Sequence, residues 1–202
     1  MSRAQVQAIV ALVMLFPALA ATPRRNPAPV LDLQPESRLW VAGTSTVRAF
    51  QCQAPAFDAK VESSGADAVA AVLAGEKAVS TIEVTVPAEK LDCRNGTMNE
   101  HMRKALKAKE FPTVVFRAAS YDLARTSDSV AVTLNGSLTL GGVEKPITVK
   151  AFAKARDNGT LVVAGTHEVR MKEFGLKPPT LMLGTMKVDE KVTVGFEVVL
   201  KN

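Results

Sequence analysis

Alternating hydrophobic and polar residues between Ser129 and Ala153 are the feature that most limits how this chain can fold. In the first half, apolar residues and one glycine take every second position: Val130, Val132, Leu134, Gly136, Leu138 and Leu140. A period of two is typical of a β-strand with one buried and one solvent-facing side. Gly141-Gly142 interrupts the pattern, and a second apolar row then runs from Ile147 to Ala153. The stretch therefore predicts an antiparallel hairpin with a glycine-rich connection.

The rest of the chain supplies more segments of the same kind. Alternation predicts further strands at 38–52, 56–62, 77–87, 113–123, 161–171 and 191–201. With the hairpin, about eight strands result, and most are joined by short turns. The pattern predicts a mainly β fold, an eight-stranded antiparallel barrel, because closure removes exposed edges and eight strands enclose just enough interior. A two-sheet sandwich is the alternative. The pattern leaves open which face of the 38–52 strand points inward.

One α-helix is predicted as an insertion between strands, over about 97–109. Thr97 followed by Glu100 has the spacing of a capping box, and Pro112 prevents the helix from continuing. A shorter helix is predicted over 65–75, with Gly75 as its stop.

The N-terminal region divides into two parts before the barrel domain at 38–202. Residues 1–21 have a short charged start, an apolar core and a small-residue cleavage site near Ala20/Ala21, which predicts a signal peptide. An uncleaved membrane anchor is the alternative, and no later stretch is long enough to span a bilayer as a helix. Residues 22–37 carry four prolines and predict an extended tether. In an exported protein the two cysteines, Cys52 and Cys93, predict a disulfide; two buried free thiols are the alternative.

Sequence motifs for catalysis, metal binding and nucleic-acid binding are not evident. The two histidines lie far apart without metal-ligand spacing, and neither a P-loop nor a nucleophile elbow occurs. The charge of +5 is modest, and no basic run is interleaved with aromatics, so nucleic acid is not an expected partner. We therefore expect no catalytic and no metal-binding residues. His167 lies on the apolar row of its strand, either as a hydrogen-bonded core histidine or as a ligand contact; His101 is expected at the surface or rim.

The segment from Phe174 to Met186 lacks strand alternation, and Pro178-Pro179 disfavours both ladder pairing and helix. It is nevertheless too apolar for a solvated loop. It either plugs one end of the barrel or forms an adaptable lid at its mouth, with methionine suited to the second role. The residues assigned to this lid or plug are Phe174, Leu181, Met182, Leu183 and Met186.

Several of these segments together resemble the YceI-like family. The resemblance lies in GSLTLGGVEKPITV, in LWVAGTSTV, in parts of NEHMRKALKAKEFPTVVF and in the closing strand. It implies a lipocalin-like barrel in a small exported bacterial protein, periplasmic or secreted, that binds polyisoprenoid. One departure is that Met98 and Asn99 stand where the family usually has Arg-Asp.

The resemblance implies a long-chain amphiphilic lipid as partner, held inside the barrel, and no conventional cofactor beyond a polyisoprenoid or quinone-like lipid. Alternatives are a stress-response or interaction domain with a filled core and, third, an unrecognised hydrolase. The residues expected to line the ligand cavity are Ile82, Val84, Val86, Val114, Phe116, Leu134, Leu138, Ile147, Val149, Val163, His167, Val194 and Phe196.

Overall fold

The computed structural model describes residues 28–181 and 185–202. The signal peptide predicted at 1–21 lies outside these ranges. The strands are β1 (Asp32–Leu33), β2 (Arg38–Ser45), β3 (Ala49–Gln53), β4 (Asp58–Ser63), β5 (Val79–Pro87), β6 (Thr113–Arg125), β7 (Val130–Leu140), β8 (Val143–Arg156), β9 (Thr160–Arg170), β10 (Thr180–Leu181) and β11 (Met186–Lys201). The helices are α1 (Ala68–Leu73) and α2 (Gly96–Ala105), with single 3₁₀ turns at Ala88–Lys90, Asp157–Gly159 and Met171–Phe174.

Nine of these strands form one antiparallel sheet in the order β3-β2-β11-β9-β8-β7-β6-β5-β4, and the short β1 and β10 pair with β11. The sheet curls into a half-barrel around an apolar interior, which confirms the predicted mainly β, lipocalin-like class. The path has nine strands, one more than predicted, because the expected first strand divides in two. Ser45 and Arg48 close a turn through the Ser45 N–H, which donates to the Arg48 carbonyl at 2.9 Å. Beyond this turn β3 runs back along β2.

The two faces of β2 are now distinguished. Leu39 and Val41 line the interior. The Trp40 ring instead lies over Gly195 of β11, where a Cβ would come within 2.3 Å of it. The sequence left open which face of this strand points inward. The neighbouring strand β11 decides it, because only a glycine at position 195 leaves room for the Trp40 indole on the outer face.

Residues 30–33 belong to the folded domain, which corrects the predicted tether over 22–37. Val30 bridges to Glu62, and β1 pairs with the end of β11. Leu31 is only 1% exposed and packs with α1 in the core cluster at this end of the sheet. Burying a leucine contributes about 1.5–3 kcal/mol, which favours docking of this extended segment on the domain over a solvated tether. Residues 22–27 lie outside the described ranges.

Helix α2 begins at Gly96, one residue before the predicted 97, and its N-cap lies two residues before the predicted one. Asn95, and not Thr97, is its N-cap, because the Asn95 side-chain oxygen accepts from the Met98 N–H at 3.0 Å. Asparagine is among the strongest N-cap residues, so it displaces the expected capping box. Glu100 instead forms an ion pair with Lys104 one turn later. The helix ends at Ala105, short of the predicted 109. The shorter α1, with Gly75 at φ +83° after it, agrees with the predicted 65–75 helix.

A β-bulge in β6 changes which residues face inward. The register with β7 shifts between Ala118 and Ser120. Strict alternation over 113–123 would put Ser120 on the row of Val114 and Phe116, but the bulge brings Tyr121 and Leu123 inward instead. An extra residue in one strand reverses the alternation beyond it. The Tyr121 hydroxyl accepts from the Val79 N–H at 2.9 Å, which satisfies this polar group inside the wall.

Candidate functional site

The curled sheet encloses a cavity of about 540 Å³. Its wall is formed by the inward rows of the long strands, and it is almost entirely apolar. All thirteen residues predicted to line a ligand cavity do line it, among them Ile82, Phe116, Leu134, Val163 and Phe196. This volume falls within the usual range of small-molecule sites, about 300–1,000 Å³. The cavity can therefore receive an apolar molecule without rebuilding the core.

The sequence missed the part of the wall that comes from β2, β3 and α2. Leu39, Val41 and Phe50 contribute from the two strands, and Met98 and Met102 contribute from the helix. The helical residues carried a usable signal, since their spacing already marked one apolar face of α2. The β3 residues carried none, because the strand boundary at the Ser45–Arg48 turn was not evident.

One end of the cavity is closed and the other has an opening. At the closed end, Leu31 and α1 pack across the ends of β7 and β9. Among the described lining residues, those that are exposed to solvent are Arg48, Asn95 and Thr97. They lie on the β2–β3 turn and at the start of α2. We call this opening, between the turn and the helix, the mouth.

The mouth is held by a disulfide. Cys52 and Cys93 are bonded, with an S–S distance of 2.01 Å, so the predicted bridge is confirmed. It joins the edge strand β3 to the segment before α2, and Gln53 and Asp92 exchange two backbone hydrogen bonds of 2.8 Å beside it. Both cysteines line the cavity, and Cys52 is 1% exposed. The bridge therefore fixes the start of α2 beside the sheet edge that the segment before the helix covers.

His167 is a polar side chain in the middle of the apolar wall. It lies on β9 directly opposite Val194 of β11, between Gly165 and Val169 on the inward row. Its ring makes no hydrogen bond to any described residue. Burial lowers the pKa of the imidazole below its ordinary value, while the Glu168 carboxylate acts in the opposite direction. His167 is thus a half-buried neutral imidazole that faces the cavity.

Most other polar groups around the cavity already have partners. Besides the Tyr121 hydroxyl, the Ser45 hydroxyl donates to the Arg48 carbonyl at 2.9 Å and accepts from the Arg48 N–H at 3.1 Å. The Asn95 oxygen is used in capping α2. His101 is half-buried and lines the cavity from α2.

The segment predicted as a lid or plug divides between two locations. Phe174 is buried, and with Leu176 it packs against Leu138, Leu140 and Val169 in a cluster at the α2 end of the sheet. Met186 instead lines the cavity itself. Met182 and Leu183 lie outside the described residues, as does the side chain of Leu181. The first part therefore packs as a plug would, and Met186 lies where a lid would contact a ligand.

Two further properties concern the described residues as a whole. Across 28–181 and 185–202, no group of three or more histidine, cysteine or acidic side chains is arranged to hold a metal ion. Neither α1 nor α2, nor any other helix within these ranges, has the length and hydrophobicity needed to cross a membrane.

Comparison with known proteins agrees with this architecture. Burkholderia cenocepacia BcnA superposes with a TM-score of 0.65 at 18% identity, covering 83% of this chain and 99% of that protein. A structure described as a polyisoprenoid binding domain from Saccharophagus degradans, implicated in plant cell wall breakdown, superposes with a TM-score of 0.62 at 11% identity. The match covers 85% of this chain and 97% of that domain. At these identities the likeness establishes the shared fold.

Sequence relatives point the same way. A UPF0312 protein from Shewanella sp. (strain W3-18-1) is 30% identical over 111 residues, which is 52% of this chain and 56% of the relative. The chain spans about half the length of the curated relatives it matches. The family model of the YceI-like domain matches residues 40–200, from Trp40 in β2 to the end of β11. Because this match includes well over half of the chain, the protein belongs to the YceI-like domain family.

Proposed function

We propose that this protein binds a long-chain amphiphile, of isoprenoid type, inside its half-barrel, and serves as a carrier or sequestering protein. The observation that carries the proposal is the cavity of about 540 Å³, whose wall is apolar and which opens at one mouth. A filled core would leave no such space. Binding, and not catalysis, is therefore the activity that we assign to the cavity.

The energetics of such a wall favour chain-like apolar ligands. Each CH₂ group removed from water contributes about 0.8 kcal/mol. Association costs at least about 4 kcal/mol in lost translational and rotational freedom, so the first five or so buried groups only offset that cost. A chain of ten or more carbons then has a net favourable free energy. Short polar metabolites gain too little from this wall to compete.

Family membership supports the proposal. One structural neighbour is described as a polyisoprenoid binding domain. We extend that ligand class to this chain because its cavity offers the apolar wall that a polyisoprenoid requires. We further propose that the protein acts in the periplasm or is secreted, after cleavage of residues 1–21 near Ala20/Ala21, because that segment has the pattern of a signal peptide.

The proposal is tested by identifying what the protein carries. The full chain, expressed with its own N-terminal segment in a bacterial host, is purified without detergent, extracted with organic solvent and analysed by mass spectrometry. We expect a roughly stoichiometric long-chain lipid. Delipidated protein should take up a polyprenol from vesicles. Finding neither a bound lipid nor uptake would contradict the proposed function.

A matched pair of variants connects uptake to the cavity. Val163 lines the cavity, whereas Thr166 on the same strand is exposed on the outer face. Val163→Trp places an indole in the ligand space and should abolish uptake while the protein remains folded. Thr166→Trp adds the same side chain outside and should leave uptake unchanged. Equal uptake by both variants would show that the lipid binds elsewhere.

A further inference from the structure

His167 is the least explained residue of the cavity. The inward row of β9 is otherwise apolar or glycine, from Leu161 at the closed end to Met171 at the α2 end. Gly165, next to His167 on this row, leaves space for the Phe196 ring, which would lie 2.9 Å from a Cβ at that position. The inward neighbours of the imidazole on β9 and β11 are therefore Gly165, Val169 and Val194.

The hydrogen-bonding capacity of this ring is unused. Within the part of the chain that the structure describes, the His167 nitrogens have no hydrogen-bond partner. A neutral imidazole has one N–H donor and one nitrogen acceptor. Burial lowers the pKa of His167 and so keeps the ring neutral at pH 7. The donor and the acceptor are therefore both present. A ligand that supplies a hydrogen-bond partner to this half-buried ring gains affinity relative to a ligand that does not.

The charges around the cavity indicate what kind of partner fits. Among the described lining residues, the only lysine or arginine is Arg48, and it lies at the mouth. No positively charged side chain lines the wall around His167, where the inward neighbours are Val194 and Val169. A carboxylate or phosphate would be buried there without a counter-charge, which is strongly unfavourable. A hydroxyl or carbonyl oxygen has no such penalty.

We propose that His167 is a specificity-determining residue that hydrogen-bonds a neutral oxygen, a hydroxyl or a carbonyl, on an amphiphile whose polar group lies inside the cavity and not at its mouth. The proposal rests on the proposed function, because it requires an apolar chain in the half-barrel. It narrows the ligand class: the preferred lipid is an alcohol, a ketone or quinone, an ester or an amide. Pure hydrocarbons bind less tightly, and anionic lipids keep their head group outside.

The experiment compares two probes of equal chain length, farnesol and farnesene, which differ mainly in the hydroxyl group. Dissociation constants are measured by titration for the wild type, His167→Leu and His167→Gln. We expect His167→Leu to weaken the binding of farnesol roughly 3–10-fold, which is the effect of losing one hydrogen bond. The binding of farnesene should be unchanged or slightly tighter. His167→Gln retains a donor and an acceptor and should restore part of the preference. Thr166→Leu, on the outer face, is the matched control.

Each outcome is decisive. If His167→Leu leaves the ratio of farnesol to farnesene affinity as in the wild type, the assignment of His167 is overturned and the proposed function is not. If neither probe binds the wild type, and no polyprenol is taken up, the proposed function itself fails. Nitrogen NMR adds a second readout, since the chain has two histidines and His101→Gln identifies the remaining ring signals. Farnesol should shift the resonances of the His167 ring nitrogens, and farnesene should not.

Discussion

At the scale of single residues, several positions are determined by their neighbours and not by their own preferences. Gly136 of β7 lies opposite the bulge of β6 and faces Ala118. A Cβ at this position would lie 2.1 Å from the Arg117 carbonyl oxygen and 2.8 Å from the Ala118 Cα. Both are backbone atoms that cannot rotate away. The glycine is therefore required for close approach of the two strands.

Gly136→Ala should lower the free energy of unfolding by about 1–3 kcal/mol, the usual cost of overpacking, because the backbone of β6 must shift. Urea unfolding followed by circular dichroism measures the change. Gly65→Ala is the control, since no heavy atom lies within 4 Å of a Cβ built there. It should be neutral or slightly stabilising. Equal stability of the two variants would mean that the strands at Gly136 have room to separate.

The depressed pKa of His167 has a consequence for stability. Burial favours the neutral ring in the folded state, so below the ordinary value of 6.5 the unfolded chain binds a proton more readily. Stability should therefore fall as pH decreases from 6.5 through the lower, folded pKa. The neighbouring Glu168 carboxylate on β9 raises the pKa of the ring and so reduces the effect.

This pH dependence is tested by measuring the free energy of unfolding between pH 7.5 and 5 for the wild type and for His167→Leu. The slope that His167 contributes should disappear in the variant and persist in His101→Gln. Carboxylates with lowered pKa values, such as Glu62 and Glu197, have their effect at still lower pH, because their ordinary pKa is 4.5. An unchanged slope in His167→Leu would show that the ring is not desolvated when folded.

At the scale of elements, α2 and the edge strand β3 act as one unit. The edge of β3 is not paired with β4 within the described ranges, and the segment before α2 covers it through Gln53 and Asp92. The Cys52–Cys93 disulfide links the two elements across 41 residues of chain. An edge strand covered in this way is protected from pairing with other chains. The same link forms one side of the mouth.

Cys52→Ala combined with Cys93→Ala should lower the free energy of unfolding by roughly 3–4 kcal/mol, as expected for release of a loop of this length. Urea unfolding measures it, and the wild type under reducing conditions is the matched comparison. Alkylation of the denatured, non-reduced wild type should label neither thiol. A double variant as stable as the wild type would show that the covering segment holds α2 without help from the disulfide.

At the scale of the whole molecule, the curvature of the sheet decides what the interior can do. The closed end is filled by α1 and Leu31, and the cluster around Phe174 packs beside the mouth at the α2 end. Between them the inward side chains do not meet across the interior, and the cavity remains. A ligand there contacts most strands at once, so its binding free energy stabilises the entire fold.

Delipidated protein should therefore melt at a lower temperature than the lipid-bound form. At a free ligand concentration of 100 times Kd, linkage gives about 2.7 kcal/mol, or roughly 5–10 °C for a domain of this size. Differential scanning calorimetry with a polyprenol measures the shift. Lipid should not shift the melting temperature of Val163→Trp, and it should shift that of Thr166→Trp as much as that of the wild type. Stabilisation that is equal in both variants would place the bound lipid outside the cavity.

Much of the site was predictable because it depends on strand alternation. Thirteen of the lining residues follow from rows such as that of β7, where every second side chain must point to the same face. The disulfide followed from two cysteines in a chain predicted to be exported. The β6 row was only half predictable, since the sequence gives no warning of the bulge after Ala118 that turns Tyr121 inward.

The sequence by itself determined which residues are apolar, how they alternate and therefore which side chains share a face, because these properties are local to each strand. Only the tertiary structure decided that Leu31 closes one end, that α2 and β3 frame a mouth and that a cavity of about 540 Å³ remains inside. The reason is that a cavity remains only where the volume enclosed by the curved sheet exceeds the volume of the side chains that point inward. Curvature arises from contacts between strands far apart in the chain, which no local pattern contains.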